Sequence, residues 1–110
     1  MAYDHDLAER LREALATEAG VTERAMFGGL GFMIHGNMAV AASSQGGLLL
    51  RVDPAETAQL LEHEHASPFQ MQGRPMSGWL HVAAAAADDD AEFGRWVRLG
   101  IERAKALPPK

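Results

Sequence analysis

The chain is 110 residues long, which suits one domain of roughly 100–150 residues and is too short for two separate cores. Its 47% hydrophobic and 23% charged residues exclude a disordered, collagenous or membrane-spanning chain; the lack of cysteine excludes disulfide frameworks, thiol catalysis and cysteine-ligated zinc or iron–sulfur centres. A formal net charge of −5 argues against nucleic-acid binding by the surface as a whole.

In chain order, residues 4–18 are expected to form the first helix. Leu7, Leu11, Ala14 and Leu15 recur at helical spacing, Asp4 or Asp6 suits the cap, and Gly20 suits a left-handed stop. Glu9, Arg10, Arg12 and Glu13 fall on the wet face. Arg24 to Val52 reads as strands punctuated by glycine. His35-Gly36-Asn37 is a hairpin turn, Ser44 to Gly47 a second turn, and Leu48 to Val52 a strand. Gly28-Gly29 implies a bulge or sharp bend, because glycine weakens a regular strand.

Asp53-Pro54-Ala55-Glu56 is a strong helix start: an acidic cap, proline at the first position and Glu placed to close a capping box. This helix is expected to run to about Glu64, burying Ala58 and Leu61. Residues 68–72 form a short strand, Gly73 to Gly78 a turn or loop, and Trp79 to Ala83 another strand. Trp79, His81 and Ala83 share one face of that strand, and Leu80 and Val82 the other. The last helix starts at Asp88-Asp89-Asp90 and buries Phe93, Trp96, Val97, Gly100, Ile101 and Ala104. Gly100 on that face allows a close neighbour, and Pro108 stops the helix.

The expected order is therefore α-β-β-β-α-β-β-α. This is a single α+β domain over residues 1–110, two layers thick, with helices on one face of an antiparallel sheet. The acidic, polar N-terminus has no secretory pattern and the C-terminus carries no known anchor, so a cytoplasmic protein is expected.

Several motifs invite a chemical reading. Gly28 to Gly31 lacks the following helix and Gly-Lys-Ser/Thr of a phosphate loop, so a bent strand is expected. His63-Glu64-His65 has i, i+2 spacing, which on a helix points two imidazoles to different faces; no metal is expected. Asp88 to Glu92 reads as a helix start rather than a calcium loop. Arg95, Arg98, Arg103 and Lys105 do not line one face cleanly, and Glu102 interrupts them. Arg95 and Arg98 carry the alternative reading of a nucleic-acid-binding accessory domain.

Arg51 and Arg74 are candidates for holding a partner's carboxylate or phosphate, or for an internal salt bridge with Asp53 or Glu56. Met26, Met33, Met38, Met71 and Met76 offer an adaptable interaction surface, but most read more simply as core, with Met76 the exception as an exposed contact in a loop. Ser43, Ser44, Ser67 and Ser77 lack a nucleophile-elbow context, and no paired carboxylates frame a pocket. The expectation is no enzyme and no cofactor.

Four motifs carry a family resemblance: Arg24-Ala25-Met26-Phe27-Gly28-Gly29-Leu30-Gly31, Leu50-Arg51-Val52 before an acidic helix start, Gly73-Arg74-Pro75-Met76 with Gly78-Trp79 behind it, and Trp96 in a last helix closing near Leu107-Pro108. In order and spacing the chain resembles the N-terminal domain family of TfoX (Sxy), the competence regulator, over nearly its whole length. The resemblance implies an α+β fold related to secretion-chaperone domains and a regulatory role in a bacterial cell. It marks Met26, Phe27, Gly28, Gly29, Gly73, Gly78 and Trp96 as family-motif residues with structural roles. TfoX-like regulators carry a second, C-terminal domain, and this chain ends about where the first domain would. The expected function is a non-enzymatic interaction module. It is expected to bind a protein partner through the sheet face or Arg51, Arg74 and Met76, with a homodimer as one form. The third and weakest reading is a small-ligand or metal-dependent enzyme.

Overall fold

A computed structural model describes residues 3–26, 28–71 and 73–109. Helix α1 spans His5–Ala14, shorter than the expected 4–18, and continues as turns to Glu18. Asp4 caps it: its Oδ1 accepts from the backbone N–H groups of Asp6 (2.9 Å) and Leu7 (3.2 Å). Leu7, Leu11 and Leu15 are buried, whereas Ala14, the last residue of the helix, is exposed. Arg10 is not simply on the wet face. It is half-buried, donates to the Ala87 carbonyl (2.6 Å) and Asp90 (2.9 Å), and lies 4.1 Å over the Phe93 ring.

Six strands follow in two groups: β1 (Val21–Met26), β2 (Gly29–Ile34), β3 (Asn37–Ala42) and β4 (Leu48–Arg51), then β5 (Ala66–Met71) and β6 (Arg74–Val82). They form one antiparallel sheet in the order β1-β2-β3-β4-β6-β5. The bend expected at Gly28-Gly29 is a full reversal. Met26 pairs with Gly29, and Gly28 takes a φ of 78°, so the strand expected there is the hairpin β1–β2. In the next turn the left-handed residues are His35 (φ 51°) and Gly36 (φ 84°). Asn37 is already in β3, buried, and its Nδ2 donates to the Pro108 carbonyl at 2.8 Å.

The second short helix differs from its expected length. Asp53 caps it as read, accepting from the Ala55 N–H at 2.9 Å. A 3-10 turn at Pro54–Glu56 then gives only one α turn, α2 (Thr57–Leu60). Glu56 is exposed and its carboxylate makes no hydrogen bond among the described residues, so the capping box does not close. Ala58 is exposed, while Leu60 and Leu61 are half-buried. Residues 61–65 are tight turns, with His63 N–H bonded to the Leu60 carbonyl at 3.2 Å.

Helix α3 (Asp90–Ala106) starts at Asp89, whose Oδ1 accepts from Ala91 (2.9 Å) and Glu92 (3.2 Å). Phe93, Trp96, Val97, Gly100 and Ala104 are buried as expected, and Ile101 is half-buried. A Cβ on Gly100 would collide with the Ala39 carbonyl, so helix and sheet touch backbone to backbone there. A bulge makes this contact. The register slips beside Phe32 and Met33, so Ala39 and Val40 both join the main core.

Helices α1 and α3 cover one sheet face and seal a core of Leu11, Phe32, Ile34, Leu50, Leu80 and Val97. The result is the α+β architecture expected, with helices and strand groups alternating in the expected order. No helix among the described residues is long and apolar enough to cross a membrane.

Candidate functional site

Strand alternation sends a second set of side chains to the face opposite the helices. Met38, Ala41 and Leu49 are buried there, and Met26, Met33, Phe69 and Trp79 pack around them. Met33 and Met38 stand opposite each other on β2 and β3. Phe69 on β5 and Trp79 on β6 approach to 6.5 Å between ring centroids. The four methionine positions expected in the core are thus divided. Met38 is buried, Met26 and Met33 are half-buried, and all three belong to this second face rather than to the main core. The side chain of Met71 lies outside the described part of the structure.

The two outer hairpins flank a cleft of about 590 Å³ lined by Met26, Gly29, Ala41, Leu49, Phe69 and His81. His81 is fixed by a 2.8 Å hydrogen bond from Nε2 to the Gly46 carbonyl. Met and aromatic side chains let such a surface adapt its shape.

The charge on this face has one sign. The six strands contain a single carboxylate, Glu23, which turns to the helix side and takes two hydrogen bonds from Arg12 (2.6 and 2.8 Å). Arg24 shares the Met26 face of β1 and is exposed. Arg51 lies 5.2 Å over the Trp79 ring, half-buried. It makes no ion pair with Asp53 or Glu56 among the described residues, because Asp53 is engaged in capping the next helix.

Arg74 and Met76 do not sit in a loop. Both belong to β6, Arg74 exposed and Met76 half-buried, so Met76 is less available than expected. Gly73 makes the β5–β6 turn, and Gly78, buried, bonds through its carbonyl to Val52 N–H at 2.8 Å. Gly28 makes the β1–β2 turn, Gly29 opens β2, and Trp96 is buried on the core side of α3. Phe27 lies outside the described residues. Arg95 and Arg98 are exposed on α3, without ion-pair partners among the described residues. Glu102 is exposed on the same helix, and Lys105 is paired with Glu18 at 3.1 Å.

A second cluster is not legible in the sequence as such. His63 and His65 are not on a helix, since α2 ends at Leu60. The turn brings both imidazoles to Glu92 on α3, with His65 Nδ1 at 2.8 Å and His63 Nε2 at 3.4 Å from Oε2. Trp96 Nε1 donates to the same oxygen at 3.1 Å. These hydrogen bonds, His65 first and Trp96 next, hold the Glu92 carboxyl below its ordinary pKa. The bond to Glu92 raises the His65 imidazole above its ordinary value, with the charges of Glu92, Glu64 and Asp88 adding to it. The available signal is the exposed carboxylate-rich start of α3 following a pair of histidines; the length expected of α2 conceals it.

The geometry defines a two-layer α+β domain whose sheet leaves one basic, methionine-rich face free of helices. Residues 13–104 match the TfoX N-terminal domain, and the chain belongs to that family. No curated protein and no solved structure matches it.

Proposed function

We propose that the chain is a regulatory interaction domain, not an enzyme, that docks a protein partner on the helix-free face of its sheet. The observation that carries this reading is the apolar cluster around Met38, Ala41 and Leu49, bordered by Arg24 and Arg51 with no carboxylate on the described strands facing it. Membership of the TfoX N-terminal domain family supports a regulatory setting. The matching partner is an acidic segment that carries apolar side chains. Its carboxylates suit the arginines, and its side chains fill the cleft between the outer hairpins. Two copies meeting face to face would bring Arg24 and Arg51 against their own kind, which favours a different protein over a homodimer. The mixed charge of α3 disfavours the nucleic-acid alternative through Arg95 and Arg98.

Photo-crosslinking residues placed at Met33, Trp79 and Arg98 in separate variants test this reading. The expected result is one protein captured from positions 33 and 79, resistant to nuclease and weakened by salt. Capture from position 98 alone, or loss of the product on nuclease treatment, transfers the function to α3.

A further inference from the structure

We propose that His63, His65 and Glu92 form a binding site for one divalent transition-metal ion of the zinc class. The site lies away from the docking face and stands independently of it. Three observations support it. The ligand atoms of the three residues all lie within 4.8 Å of one another. The two contacts to Glu92 Oε2, 2.8 and 3.4 Å, bracket the ~3.3 Å edge of a tetrahedron with metal–nitrogen bonds of about 2.0–2.1 Å. Two imidazoles and one carboxylate match a borderline ion, whereas calcium and magnesium prefer oxygen alone.

The surroundings fit as well. Without the ion, His65 Nδ1–H donates to Glu92 Oε2 at 2.8 Å; the ion would take the place of that proton, and Glu64 Oε2 stands 3.4 Å from the N–H kept at His65 Nε2. Trp96 orients the Glu92 side chain, itself only 13% exposed. His63 is the hinge of the arrangement. Its Nδ1 accepts from the His65 N–H at 3.1 Å, which leaves the proton on Nε2. Uptake of the ion therefore moves that proton to Nδ1 and replaces the hydrogen bond with a coordinate bond. His63 is 41% exposed, so the fourth position opens to water. The ion would fasten the turn after α2 to the first turns of α3.

The test uses the full-length, untagged chain, stripped with chelator and titrated with Zn²⁺ by calorimetry. Mg²⁺ serves as the control ion and His5→Ala as the control variant. A Trp79→Phe background leaves Trp96, whose ring is 5.2 Å from that of His63, as the fluorescent reporter of the site. The expected result is one Zn²⁺ per chain, a Trp96 response, a higher melting temperature, and no effect of Mg²⁺. Affinity should fall at least about tenfold in His65→Ala and in Glu92→Gln, and be unchanged in His5→Ala. His63→Ala, the most exposed ligand, provides a folded variant if the other two melt early, and it should show the same loss. Zn²⁺ affinity equal to the parent's in folded His63→Ala, or no binding by the parent at about 100 μM Zn²⁺ (a Kd far weaker than a resident site), overturns the proposal.

Discussion

Two glycines on one helix separate local propensity from packing. Gly94 is exposed on α3, and a methyl group added there would meet nothing within 4 Å, so Gly94→Ala should stabilise the protein by about 0.5–1 kcal/mol. Gly100 lies on the same helix against the Ala39 carbonyl. Gly100→Ala gains the same propensity yet should destabilise by about 1–3 kcal/mol, since α3 must lift from the sheet. Urea unfolding of the two variants reads the difference directly. Glu23 supplies a pH test. Arg12 holds its carboxyl below the ordinary value through their hydrogen bonds. Its contribution is therefore complete above the unfolded pKa of about 4.3 and disappears as pH falls through the lower folded value. The acid limb of stability against pH should be slightly shallower in Glu23→Gln, and only slightly, because the pair is partly solvated.

The elements are legible in the sequence in proportion to how many residues specify them. Helix α3 has nearly five turns of periodic apolar residues, and its buried face can be read almost residue by residue. The extent of α2 cannot, because a capping signal marks where a helix starts and is silent about where it stops. Half-buried Leu60 and Leu61 meet the core within one α turn, and the chain then leaves for β5. The same ambiguity hides the histidine cluster, since i, i+2 residues diverge on a helix but can converge in a turn. The β1–β2 reversal reads as a mere bend because its turn is so short that glycine is its main mark. The caps differ in consequence for the same reason of length. Asp89→Ala should cost about 1 kcal/mol of global stability in urea unfolding. Asp53 holds only the 3-10 turn and the single α turn, so the effect of Asp53→Ala should appear mainly as faster amide exchange in residues 54–61.

At the scale of the molecule, the sheet has two unequal faces. Strand context marks the methionines as core, but composition does not say which side of a sheet the helices take. The helices cover the face that presents Phe32, Ile34, Leu50 and Leu80, and the bulge at Ala39 adds both Ala39 and Val40 to that side. Phe32, fully buried beneath the helices, should cost about 3–5 kcal/mol when replaced by Ala, a large share of a small domain's stability. Met33, its neighbour on the other side, should cost far less on Met33→Ala while altering the proposed docking face, and thermal melts of the pair distinguish the two roles. The borders of the sheet complete the picture. β1 sets Glu23 and Arg24 along one margin, and β5 places Pro68, which has no N–H to offer, on the other. Both margins resist annealing with a foreign strand. The proposed docking would therefore fall to side chains on a preformed surface, a mode of contact that can be made and broken repeatedly while both backbones stay folded, and that does not seed polymer growth.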